Sequence, residues 1–153
     1  MTGKADGRSA GPGGFSDQEK AAMKARAAEL RQEAGQGRGG KRAERELQVL
    51  EKIGEMDDAD RAVAGRIHAI VTATAPELEP KLWYGQPAYA RKGKVVCFFR
   101  SGGVDKERYS TFGFTPEAAL DDAGGLWATS FAVSGLGPEA EKAVARLVEQ
   151  AVR

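Results

Sequence analysis

Residues 95–99, Val-Val-Cys-Phe-Phe, restrict most strongly what this chain can fold into. As a strand, Val95, Cys97 and Phe99 point to one side and Val96 and Phe98 to the other, so both faces are apolar. Such a strand belongs inside a sheet that is covered, at least in part, on both sides. The residues before it carry Trp83, Tyr84 and Tyr89 and then the polar turn Arg91-Lys92-Gly93. The spacing predicts a β-hairpin with arms over 82–90 and 94–100. Pro87 cannot donate a ladder hydrogen bond, so the first arm is expected at a sheet edge, or with a bulge at Gly85-Gln86-Pro87.

Around this hairpin the apolar period changes to that of helices. Leu47, Leu50 and Ile53, with Ala43 a turn earlier, predict a helix over 41–55. Val63, Ile67, Ile70, Val71 and Thr74 share one face of a second, 58–74, with Asp57 or Asp58 as N-cap and Pro76 and Pro80 beyond its end. Residues 108–114 alternate as a third strand, and Thr115-Pro116 opens a short helix. Residues 127–133 read as a fourth strand, and Gly137-Pro138 starts a helix carrying Val144, Leu147 and Val148. Strands in the middle and helices at both ends predict an α+β fold: an antiparallel sheet of about four or more strands covered by N- and C-terminal helices.

The first forty residues have a different character. Residues 1–15 hold too little apolar surface to offset ordering entropy and read as a disordered leader. Ser16 and Glu19 fit a capping box for an exposed helix over 16–34, whose apolar candidates are Met23, Ala27 and Leu30. Gly35-Gln36-Gly37-Arg38-Gly39-Gly40 is a flexible linker, and the folded domain is expected over 41–153. A chain of 153 residues is enough for one domain of that kind. Its net charge of +1 gives no global pull toward nucleic acid or membrane. Neither an apolar span nor a signal-peptide pattern is present, so the expected compartment is the cytoplasm.

Pro76-Glu77-Leu78, Trp83-Tyr84-Gly85-Gln86-Pro87-Ala88-Tyr89, Gly93 through Phe99, Thr111-Phe112-Gly113-Phe114 and Leu120 through Trp127 together resemble the YdhG-like family of small bacterial proteins. The resemblance covers roughly residues 43–152 and is most specific at Trp-Tyr-Gly-x-Pro-Ala-Tyr. Gln86 departs from it, standing where close relatives often carry Met. Many members are known only as a domain of unknown function, and some relatives are described as frataxin-like iron chaperones. The resemblance implies an α+β fold and, from those relatives, weak and transient iron binding with iron-using assembly proteins as partners. It supplies no fixed ligand motif.

Iron carriage needs exposed, labile oxygen ligands. Asp57, Asp58 and Asp60, with Asp121 and Asp122, are the candidate metal ligands; Glu77, Glu79 and Glu117 lie near them in sequence. The simpler reading of Asp57, Asp58 and Asp60 is helix capping and dipole pairing. His68, the only histidine, is expected at the flank of its helix, and Cys97, the only cysteine, in the packed strand. No nucleophilic triad, phosphate loop or other catalytic motif is visible, so no enzyme and no tightly bound cofactor is expected. The alternative to iron carriage is a non-enzymatic binding module, with Trp83, Tyr84 and Tyr89 lining an aromatic groove. Seven basic residues between Lys81 and Arg108 stand against Asp105 and Glu107 there. Such a groove suits a small ligand or a protein partner, and nucleic acid less well.

Overall fold

The computed structural model describes residues 17–35 and 40–153. The leader expected over 1–15, the capping residue Ser16 and the linker residues 36–39 lie outside the described residues. The element order is α1 (Asp17–Ala34), α2 (Gly40–Gly54), α3 (Asp58–Thr74), β1 (Glu79–Trp83), β2 (Gln86–Arg91), β3 (Lys94–Arg100), α4 (Gly102–Asp105), β4 (Ser110–Phe114), β5 (Ser130–Val133) and α5 (Pro138–Ala151). All five strands pair antiparallel in the order β1-β2-β3-β4-β5, which makes the fold α+β. No described helix is long and apolar enough to cross a membrane.

The expected first arm, 82–90, is two strands. Tyr84 and Gly85 turn the chain between β1 and β2 with φ of 51° and 76°, the paired positive angles of a two-residue type I′ hairpin loop. Lys92 and Gly93 repeat the device between β2 and β3 with 53° and 80°. Pro87 therefore sits in an interior strand, just outside the first β2–β3 pair, Ala88 with Phe98, so its missing N–H lies beyond the β2–β3 ladder. The bulge falls on the other strand. Ala90 pairs with Val95 and Tyr89 with Cys97, which leaves Val96 as the extra residue. Val96 and Cys97 consequently both enter the core, against the simple alternation expected from sequence.

Two further differences lie in the second half. No helix follows Thr115; its hydroxyl donates to Val95 O and accepts from Glu117 N, closing a turn instead. Ser101-Gly102-Gly103 reads from sequence as a turn or longer loop, yet the single helical turn of the region, α4, starts there with Ser101 as its N-cap.

Helices α2, α3 and α5 lay their apolar stripes on one face of the sheet. Ile53, Ile67, Val71 and Val148 meet Tyr89, Cys97, Phe99, Phe112 and Phe114 there. Each such side chain, fully buried, contributes about 1.5–3 kcal/mol. Helix α1 is largely exposed, as expected, yet it docks through Leu30, which is 1% exposed in a small cluster with Ala43, Leu47 and Leu50.

The register fixes what the opposite face carries. One row crosses the strands as Trp83, Gln86, Arg100, Thr111 and Ala132, and the next as Lys81, Ala88, Phe98, Gly113 and Ser130. Trp83, Phe98 and Thr111 are only half-buried, and Arg100, Ser130 and Ala132 are exposed. This face is open.

Candidate functional site

The open face is built as an aromatic shelf beside a polar hollow. The ring of Trp83 packs 5.3 Å from that of Phe98 and 5.0 Å from that of Tyr84. Phe98 lies across Gly113, where a Cβ would stand 2.5 Å from the ring's Cζ. Glycine at 113 is thus what lets Phe98 lie over the strand. Tyr84 is 80% exposed and sits at positive φ, a conformation that costs a bulky residue roughly 1–2 kcal/mol. A large apolar ring held in solvent on a strained turn contributes nothing to the core.

Next to the shelf is a hollow of about 790 Å³ lined by Arg100, Asp105, Glu107, Arg108, Tyr109 and Thr111, with Gly102. Arg100 is fixed by Asp105, its Nε and Nη2 lying 3.0 and 2.9 Å from Oδ2. The exposed Arg108 guanidinium stands 5.1 Å above the Tyr109 ring, a cation–π contact. Shelf and hollow share the row from Trp83 to Thr111, which places them within a few strand spacings of about 4.8 Å of each other.

A polar network holds the loop that frames the hollow. Asp60, in the first turn of α3, accepts from the hydroxyls of Ser101 and Ser110 and from Gly103 N. The Ser110 hydroxyl in turn accepts from Gly102 N, and Gln86 Oε1 accepts from Ser101 N at 2.9 Å. Burial by itself raises the Asp60 carboxyl, but the bonds from Ser101, Gly103 N and Ser110 outweigh it and hold the group below its ordinary value. Gln86 has a clear role here: its amide oxygen pins the start of the loop.

The residues expected in one aromatic groove divide between two faces. Trp83 and Tyr84 belong to the shelf, whereas Tyr89 points into the core and is fully buried. Its hydroxyl lies 3.0 Å from His68 Nδ1, and His68 Nε2 lies 3.0 Å from Glu46 Oε2. His68 is therefore not a flank residue but the middle of a buried tie between α2, α3 and β2. The bond from His68 holds the Glu46 carboxyl below its ordinary value against the opposing effect of burial, with help from the charges of His68, Arg26 and Arg42. The two contacts fit the tautomer in which Nε2–H donates to Glu46 and Nδ1 accepts from the Tyr89 hydroxyl. Burial raises the Tyr89 hydroxyl well above its usual range and pushes the Cys97 thiol up to about 12.

The acidic candidates are also separated. Asp57 caps α3 by accepting from Asp60 N at 2.9 Å. Asp58 pairs with Arg61. Asp60 belongs to the loop network. Asp122 closes its own turn onto Gly124 N at 2.8 Å, and Asp121 is exposed beside it. Among the described residues no three His, Cys, Asp or Glu side chains are grouped to hold a metal ion. What the sequence reading missed is the partnership of Asp60 with Ser101, Ser110 and Gln86, and the joining of Phe98 to the shelf. The Ser-Gly-Gly after β3 was its only signal, and it reads as an ordinary turn. Comparison with family models, curated proteins and solved structures returned no match.

Proposed function

We propose that this chain is a cytoplasmic, YdhG-like, non-enzymatic binding module whose open sheet face takes a ligand carrying a planar ring and an anionic group. The observation that carries the reading is Tyr84, kept 80% exposed at positive φ against Trp83, which itself rests on Phe98. The ring of the ligand stacks on the shelf, where base-sized rings gain about 1–3 kcal/mol each. Arg100 and Arg108 meet the anion, and Asp105, Glu107 and Thr111 accept from hydroxyl or amino groups. The non-enzymatic reading is supported by the state of the obvious reactive groups: both ring nitrogens of the only histidine are engaged, and the only thiol is buried.

The iron-carrier reading has less behind it. Asp57, Asp58, Asp60 and Asp122 each already serve a cap, an ion pair, a loop network or a turn. The test is tryptophan fluorescence on titration with adenosine monophosphate and with 2-naphthoate. The expected response is saturable and is lost in Trp83→Ala and weakened at least tenfold in Arg100→Ala. A response of wild-type strength in Trp83→Ala would place binding elsewhere and end the proposal.

A further inference from the structure

The two edges of the sheet are treated differently. β1 is guarded: Pro80 withholds an N–H, Lys81 puts a charge on the strand, and α2 lies alongside. Arg42 Nη2 donates from that helix to Pro76 O and Leu78 O, and Arg45 pairs with Glu79. Edges are normally protected in such ways against pairing with another chain.

β5 has none of these devices apart from being short. Phe114 N donates to Thr129 O, so the pairs Phe114–Thr129, Phe112–Phe131 and Ser110–Val133 are the hydrogen-bonded ones. The N–H and C=O of Ser130 and Ala132 then point away from β4. Among the described residues no helix, loop or side chain bonds to them. No Lys, Arg, Asp or Glu occurs from Ala123 to Pro138, in a chain that is 29% charged. Within that run Leu126 is 86% and Trp127 40% exposed. A long uncharged stretch with exposed large side chains beside an unpaired edge has the character of an interface.

We infer that β5 pairs antiparallel with β5 of a second copy of this chain, joining two five-stranded sheets into one. The edge is self-complementary. About a two-fold axis at Phe131, Ser130 of each copy faces Ala132 of the other, so all four outward groups are satisfied on both sides. With no charge in the run, no like charges meet. Continued in the same register, Trp127 runs alongside Gly135 of the other copy, a position with open space around it. The joined sheets set the two open faces side by side as one surface.

Sedimentation equilibrium of the full chain tests this. The expected mass rises with concentration from 16.3 kDa toward twice that value. Ala132→Pro removes an outward N–H that the β4 ladder does not use, so far-UV circular dichroism stays unchanged while dimerisation is lost. Ala132→Lys, which brings like charges together across the axis, weakens it at least tenfold and more so at low salt. Trp127→Ala weakens it on the order of tenfold. If Ala132→Pro fails to fold, Ala132→Lys decides the matter alone. A wild type that stays monomeric at about 1 mM, the weak end of specific association, overturns the inference. So does dimerisation of wild-type strength in Ala132→Lys, and so does a monomer that instead takes an extended segment of another protein at this edge.

Discussion

Phe98 and Phe99 are neighbours in β3 and point to opposite worlds. Phe99 is buried among helix residues, Phe112 and Tyr89, where each ring fills space that nothing else reaches. Phe98 lies half-exposed over Gly113 and supports Trp83. The inner face is explained by stability alone, since every large side chain there removes apolar surface from water. The outer face is not, because it keeps Tyr84 where it gains little burial and holds a turn under strain. Residues that cost stability without repaying it in packing are where function is expected.

Substitutions on the two faces separate these roles. The largest effect belongs inside: Phe99→Ala destabilises by about 3–5 kcal/mol in urea unfolding, whereas Phe98→Ala, a smaller loss of burial, costs clearly less and abolishes ligand binding. Equal destabilisation by the two would erase the distinction between faces. Next is the loop network. Asp60→Ala leaves Ser101, Ser110 and Gly103 N without their common acceptor and costs about 1.5–3 kcal/mol, with the loop amides showing faster hydrogen exchange. Gly113→Val drives a methyl-bearing carbon into the Phe98 ring and costs about 1–3 kcal/mol. Binding falls with it, although no ligand-contacting residue has changed. The smallest effect has the opposite sign: Tyr84→Gly relieves the positive φ and stabilises the fold by roughly 1 kcal/mol, while weakening binding. A Tyr84→Gly protein that is less stable than wild type would show that the tyrosine is structural after all.

Acid sharpens the comparison from another side. Asp60 and Glu46 are both held below their ordinary values of 3.8 and 4.5 in the folded chain. The unfolded chain therefore binds protons first as pH falls. Their stabilisation is fully present above those values and is lost as pH drops through the lower, folded ones. Thermal melts of the wild type are expected to fall steeply below about pH 4.5, and Glu46→Gln, less stable at neutral pH, to show a shallower fall.

Much of the inner face could be read from the chain. The stripes of α2, α3 and α5, the apolar run of β3 and the cap at Asp57 are local patterns of period and residue type, and each appears where those patterns place it. The failures are all non-local or conformational. Tyr84-Gly85 does not carry the usual Asn-Gly signature of a type I′ turn, so two strands were read as one. The bulge at Val96 breaks the alternation that sets Val96 on the side opposite Cys97. Tyr89 and Trp83 look like members of one aromatic set until pairing of β1 with β2 puts them on opposite faces. Asp60 reads as one more carboxylate at a helix start, because its partners come from 41 and 50 residues downstream. Those long-range partners make the site, and nothing near Asp60 in the sequence announces them.

The most direct measurement is an amide and aromatic NMR titration of the full chain with a panel of small aromatic phosphates and carboxylates. The account predicts saturable shifts confined to Trp83, Tyr84, Phe98, Arg100, Arg108 and Thr111, with Phe99, Tyr89 and His68 unmoved. Shifts that gather instead on the helices covering the inner face, or a panel that moves no resonance of the open face, would contradict it.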